Sequence, residues 1–212
     1  MNQLRDEEML KEIALGRKMS ECAGEFFARF PLSPNQWTLL SVLLALGGFF
    51  ALLGRNVTFA AAFFLLSFFC DLVDGAVARK RGEKTKFGAY LDGMCDRYVE
   101  FLLLFGMLFY PLPAFLLPTY AWLFLILFFG TCMTAFAKAY ASHRGAMERE
   151  KVDAMSSVFQ RSERGFVLFL ALVMLAFDAQ FAVYLLVLAA VLSAIAVAQI
   201  ILKVKRENAE KD

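Results

Sequence analysis

The chain has 212 residues, 60% of them hydrophobic, with 24 Phe and a formal net charge of +2. A soluble domain of this length does not carry so much apolar side chain, and several stretches approach the ~20 apolar residues that cross a bilayer. An ordinary soluble globular domain is therefore excluded, nucleic acid is not among the expected partners, and an all-α integral membrane protein is expected.

The first 32 residues read as an amphipathic juxtamembrane helix. Met19, Cys22, Ala23, Phe26, Phe27 and Phe30 recur at helical spacing with charges between them. Such a helix lies on the membrane surface or packs on the rest of the protein. The charged start, with no apolar run in the first 30 residues, gives no sign of a cleavable leader. Pro31-Leu32-Ser33-Pro34-Asn35 breaks the helix, and Ser33 or Asn35 can cap the next one.

Six spans are then expected. The first covers residues 36–53 and ends at the turn Gly54-Arg55-Asn56. The second covers 57–70, its helix continuing through Arg79. The basic loop Lys80–Lys86 leads to a third helix over 87–110, and Pro111-Leu112-Pro113 turns the chain into a fourth over 114–140. Pro118 falls near the start of that fourth helix, where proline is tolerated. After a polar stretch, 142–163, a fifth span begins near Arg164. Its apolar run, Gly165–Phe177, is short, so the helix is expected to extend into the polar segment before it. Asp178-Ala179-Gln180 turns into a sixth span over 181–202. The expected organisation is a juxtamembrane helix at 1–32, a six-helix domain at 33–205 and a charged tail at 206–212.

Every Lys and Arg except Arg55 and Arg97 falls on one side of this arrangement. The positive-inside rule puts both termini and the second-to-third connection on the cytoplasmic side of the cell membrane. Cys22, Cys70, Cys95 and Cys132 lack the paired spacing of a disulfide or zinc framework and read as reduced packing residues. His143 is the single histidine, which rules out a multi-histidine metal site.

The chemistry concentrates between Asp71 and Asp96. Asp71, Gly75 and Arg79 form one i, i+4, i+8 helical stripe, with Asp74 and Ala78 on the neighbouring one. Gly88, Asp92 and Asp96 repeat the spacing on the next helix. Facing each other, the two helices would bring four carboxylates into one small volume, where they repel unless a cation balances them. Hard divalent cations suit such all-oxygen sites, and Mg²⁺ is usually held by a few carboxylates plus phosphate oxygens. Gly75 and Gly88 leave room for a ligand near the backbone. A surface charge network with Lys80, Arg81, Lys84 and Lys86 accounts for each aspartate singly but not for the doubled spacing.

This stretch resembles the signature of the CDP-alcohol phosphotransferases, D-x-x-D-G-x-x-A-R-x(8)-G-x-x-x-D-x-x-x-D, at all eight fixed positions: Asp71, Asp74, Gly75, Ala78, Arg79, Gly88, Asp92 and Asp96. The six-helix frame is similar to that family too, so the resemblance covers nearly the whole chain. It implies transfer of the substituted phosphate of a CDP-alcohol to an acceptor hydroxyl, with release of CMP. It further implies that Asp71, Asp74, Asp92 and Asp96 hold two ions, Mg²⁺ or Mn²⁺, and that Asp96 is also the general base. Asp71, Asp74, Gly75, Ala78, Arg79 and Gly88 would surround the CDP-alcohol. Thr85 and the Pro34, Asn35 and Thr38 of a P-N-x-x-T segment match further nucleotide-contacting positions. A homodimer is implied by the same resemblance.

The expected donor is a CDP-activated lipid, CDP-diacylglycerol or CDP-archaeol, and the expected acceptor a small phosphorylated polyol, inositol 1-phosphate first. Lys138, Arg161, Arg164 and Lys203 are the acceptor-phosphate candidates. Lys138 and the segment Gln160-Arg161-Ser162-Glu163-Arg164 resemble parts of phosphatidylinositol-phosphate synthases, with Gln160 departing from their first Glu. Arg161 and Arg164 also fit an interfacial anchor facing anionic lipid. Glycerol 3-phosphate or serine as acceptor, and CDP-inositol as donor, stay open. An ion-binding transporter would need helices broken at the midplane, and the fourth to sixth spans read as uninterrupted.

Overall fold

The computed structural model describes residues 24–209 and is helical throughout, with no strand among the described residues. The helices are α1 (Pro34–Leu53), α2 (Val57–Arg81), α3 (Lys86–Leu108), α4 (Thr119–His143), α5 (Arg149–Asp153), α6 (Arg161–Met174) and α7 (Ala179–Ala209). Most of the expected juxtamembrane helix, 1–23, and the end of the tail, 210–212, lie outside the described residues; 24–27 form a helical turn.

Local sequence sets the helix ends. Ser33 caps α1: its backbone N–H donates to Gln36 Oε1 at 2.8 Å while its Oγ accepts from the Gln36 N–H at 3.3 Å, and Pro34 fills the first helical position. Asn56 Oδ1 accepts from the Phe59 N–H, and Thr85 Oγ1 from the Gly88 N–H. Gly82 follows the last residue of α2 at φ +67°, a left-handed conformation that suits glycine. Gln160 and Glu163 form a capping box at α6, and Asp178 Oδ1 accepts from the N–H groups of Gln180 and Phe181 at α7.

Four helices, α1, α2, α4 and α7, are long and apolar enough to cross a membrane, so the chain is a membrane protein. The other two expected spans do not meet that measure. Helix α3 has 23 residues but carries Asp92, Asp96, Arg97 and Glu100. Helix α6 extends back to Arg161 as expected, yet its 14 residues reach only about 21 Å against a hydrocarbon core of about 30 Å.

The fourth helix departs from expectation twice. It begins at Thr119 rather than 114, because prolines 111, 113 and 118 hold the preceding segment out of helix. That segment is tied down by Thr119 Oγ1 donating to the Pro113 carbonyl and Trp122 Nε1 donating to the Phe115 carbonyl at 2.9 Å. It is also interrupted: Ile126–Met133 is π-helical, with Thr134 Oγ1 donating to the Gly130 carbonyl.

The chain divides into two compact units. Among the described residues, unit 1 comprises 24–46 and 63–99; unit 2 comprises 47–62 and 100–209. Unit 1 is built on Trp37, Cys70, Val73 and Val77, with Phe27, Leu32, Leu40 and Leu44 packed on them. Arg81 gathers the carbonyls of Ala28, Phe30 and Leu32 at 2.8, 2.6 and 2.9 Å. Lys80 reaches Glu25 at 2.7 Å and holds its exposed carboxyl below the usual range. In unit 2, α7 packs against α4 and α6, and Met147, Val152, Met155, Ala141 and Ile200 form a second core.

Candidate active site

The site of unit 1 grows from the ends of α1, α2 and α3. Ligand oxygens of Asp71, Asp74 and Asp92 all lie within 4.8 Å of one another. Oxygens sharing one Mg²⁺ at about 2.0–2.1 Å sit roughly 3–4 Å apart, so these three side chains need little adjustment to share a cation. The donor set, oxygen only, suits a hard divalent ion. Asp96, expected in the same cluster, is not part of that group. It is buried, with one oxygen 3.4 Å from Arg97 Nη1.

Thr38 is buried beside the carboxylates and its Oγ1 lies 2.6 Å from Asp74 Oδ2 and 3.1 Å from the Pro34 carbonyl. A hydroxyl with one proton serves one of these acceptors at a time, and the shorter contact to the carboxylate is the stronger.

A cavity of about 190 Å³ opens beside this cluster. Its lining brings together Pro34, Asn35 and Thr38 of α1 with Asp74, Gly75, Ala78 and Arg79 of α2. Thr85, Gly88 and Asp92 close it from the α3 side. Every residue expected around the CDP-alcohol except Asp71 is therefore on this one wall. Glu83 and Ala89 also line it and were not site candidates from sequence, and so does Lys84, which sequence offered only as a member of a surface charge network. Lys84 could have been a site candidate: a lysine in the loop between two carboxylate-bearing helices is a natural counter-charge.

The two glycines play different parts. A methyl group at Gly75 would lie 3.2 Å from Arg79 Nη1, so the room left by Gly75 is used by the guanidinium one turn on. A methyl at Gly88 would come within 3.1 Å of both Asn35 Oδ1 and Thr85 Oγ1, which draws those two polar groups against the backbone of α3.

The acceptor candidates all belong to unit 2. Lys138 Nζ donates to the Met155 carbonyl at 2.6 Å, and Lys203 Nζ to the next carbonyl, Ser156, at 2.5 Å. Lys203 lines a second cavity of about 450 Å³ together with Ser156, Ser157, Gln199 and Arg206; Lys138, Arg161 and Arg164 do not. Arg161 is exposed at the start of α6. Arg164 is buried and paired through Nε and Nη2 with the carboxylate of Glu100. Cys70 and Cys95 are buried free thiols, and Cys132 is a free thiol at the surface.

The sequence profile of the CDP-alcohol phosphatidyltransferase family matches residues 31–202. An uncharacterized protein of Aquifex aeolicus is 33% identical over 149 residues, 68% of this chain and 69% of its own. The archaetidylinositol phosphate synthase of Pyrococcus horikoshii is 33% identical over 87 residues, 41% of this chain and 46% of that one. A phosphatidylinositol phosphate synthase of Mycobacterium tuberculosis is 38% identical over 84 residues, 38% and 37% of the two chains. The matches to the two named synthases thus span less than half of their length. Crystal structures of the M. tuberculosis synthase superpose with a TM-score of 0.72: one with manganese and citrate at 24% identity, covering 87% of this chain and 88% of that one, and one with CDP-DAG bound at 23%, covering 88% and 94%. The fold is shared with them. The chain belongs to the CDP-alcohol phosphatidyltransferase family and is a transferase of that class.

Proposed function

We propose that the protein transfers the substituted phosphate of a CDP-activated lipid, CDP-diacylglycerol or CDP-archaeol, to a hydroxyl of inositol 1-phosphate and releases CMP. The acceptor oxygen bonds to the lipid-bearing phosphorus, the bond from that phosphorus to the CMP oxygen breaks, and the acceptor's proton passes to a base. The observation that carries this reading is the unit 1 cavity, whose lining gathers Asp74 and Asp92 with Arg79, Asn35 and Thr85. A guanidinium fork suits the diphosphate, and the carboxylates suit divalent ions.

In this reading Asp71, Asp74, Asp92 and Asp96 hold two ions, Mg²⁺ or Mn²⁺, which when bound supply positive charge against the phosphate oxygens. Asp96 accepts the acceptor's proton. Pro34, Asn35, Thr38, Gly75, Ala78, Thr85 and Gly88 surround the CDP part and Arg79 its phosphates. Lys138, Arg161, Arg164 and Lys203 serve the phosphate of the acceptor, and the names of the archaeal and mycobacterial relatives favour an inositol phosphate. We further infer six spans, with α3 and α6 completing the set, in a transferase domain at 33–205. An interfacial helix over 1–32 precedes it and a charged tail at 206–212 follows. Both termini and the site face the cytoplasm, and two copies form a homodimer.

The test is CMP release by purified protein from CDP-diacylglycerol or CDP-archaeol with Mg²⁺ or Mn²⁺, offering inositol 1-phosphate, glycerol 3-phosphate or serine. Release is expected with inositol 1-phosphate and abolished by chelation. Asp96→Asn is expected to lose transfer by a thousandfold or more while CDP binding persists. Release with none of the acceptors from folded protein, or normal turnover by Asp96→Asn, defeats the corresponding part of the reading.

A further inference from the structure

Glu100 lies four residues beyond Asp96 and so continues the row Gly88, Asp92, Asp96 along α3. It matches no position of the family signature. Its carboxylate meets Arg164 side-on: Nε donates to Oε1 and Nη2 donates to Oε2 at 3.1 Å. Arg164 is only 3% exposed, and a buried guanidinium requires such a counter-charge.

The side-on pair uses two of the five N–H donors of Arg164. The remaining three, two on Nη1 and one on Nη2, form the end-on fork, and no hydrogen bond to Nη1 is seen among the described residues. The stem is fixed as well. A methyl at Gly130, in the π-helical segment of α4, would meet Arg164 Cδ at 2.8 Å and Nε at 3.1 Å, and Ser193 Oγ of α7 at 2.8 Å. The hydroxyl of Ser193 is buried and has no hydrogen-bond partner among the described residues. Arg164 is thus held by a carboxylate of α3 and seated on the backbone of α4, at a glycine that the Ser193 hydroxyl of α7 also approaches.

We propose that Glu100 is a positioning residue for acceptor recognition: by taking the side edge of Arg164 it aims the end-on fork of the guanidinium at the acceptor's phosphate, with Gly130 as the seat. The inference rests on the reading of Arg164 as an acceptor-phosphate ligand. A guanidinium already desolvated and oriented loses little freedom when an anion arrives. Glutamate suits the role because it accepts from both N–H groups, whereas glutamine would turn an NH₂ toward one of them. Electrostatics alone predicts the opposite consequence, since removing a carboxylate beside an anion site favours the anion.

The experiment compares Glu100→Gln, Gly130→Ala and Arg164→Gln with the wild type in full-length enzyme, measuring KM for inositol 1-phosphate and for CDP-diacylglycerol separately. Glu100→Gln and Gly130→Ala are each expected to raise the acceptor KM at least tenfold with the donor KM within twofold, and Glu100→Asp to recover part of the loss. A purely structural pair would lower the yield of folded enzyme without splitting the two KM values. An acceptor KM that is unchanged or lowered in Glu100→Gln overturns the inference. Should that variant not fold, Gly130→Ala decides, because it displaces the stem and leaves both charges in place; an unchanged acceptor KM there overturns it too. If Arg164→Gln itself leaves the acceptor KM unchanged, the assignment of Arg164 to the acceptor fails instead.

Discussion

Thr38 stands among the leucines of α1, and its hydroxyl reaches Asp74 Oδ2 at 2.6 Å. A hydrogen bond to a charged group both favours the ionised carboxylate and fixes which lone pairs face the cavity. Thr38→Val removes the bond while keeping the shape. We expect the half-saturating Mg²⁺ or Mn²⁺ concentration to rise roughly three- to tenfold, the effect of a hydrogen bond worth about 1 kcal/mol, with turnover at saturating metal much less changed. Titration of activity against metal checks this; an unchanged metal requirement would show that Thr38 does not orient Asp74. Gly75 teaches a related point. From spacing it reads as space for a substrate, whereas that space is taken by the guanidinium of Arg79.

At the scale of elements, α3 carries two kinds of information in one helix. Its first half presents Asp92 and Asp96, and its second half packs. Gly106 shows how tightly: a methyl there would lie 2.6 Å from Leu52 Cδ1 and 3.2 Å from Leu52 Cβ, and Leu52 is fully buried. Gly106→Ala is therefore expected to destabilise the protein by about 1–3 kcal/mol through overpacking. A lowered Tm in detergent would register it, and Leu52→Val in the same chain should restore part of the loss. A Tm equal to that of the wild type would mean that Leu52 yields freely. The π-helical turn of α4 belongs to this scale too. Such turns often occur at functional sites, and here the segment contains the glycine on which Arg164 rests.

For the whole molecule, the proposed orientation puts the turn before α2 outside and the connection between α4 and α5 in the cytoplasm. Thr58 and Glu148 are exposed residues at these two places. Thr58→Cys is expected to react with a membrane-impermeant maleimide on intact cells, and Glu148→Cys only after permeabilisation. The reverse pattern would invert the topology inferred from the distribution of Lys and Arg. The segment before α1 belongs to the same picture, since Arg81 holds the carbonyls of residues 28, 30 and 32 together at the end of α2.

Sequence alone was enough for the helical class, the turn at residues 54–56 and most of the residues that line the unit 1 cavity, while the turn expected at 178–180 falls earlier, at 175–178, because Asp178 caps a helix that already starts at Ala179. These features are local: apolar runs, caps and i, i+4 rows express themselves within one or two helices. Spacing alone grouped Asp71, Asp74, Asp92 and Asp96 in this way; the first three lie together, while Asp96 is not part of that group. Tertiary structure decided what depends on side chains far apart in the chain. Nothing in the spacing distinguishes Arg161, which is exposed, from Arg164, which is buried on Glu100. Nor does it place Lys138 and Lys203 on successive carbonyls of one connection. One signal was available: Glu100 is an acid in a strongly apolar helix, and a charge so placed needs a partner. Which cation answers it, and from which helix, is settled only by packing, because the cost of a buried charge is met by whichever opposite charge the fold brings within hydrogen-bond reach.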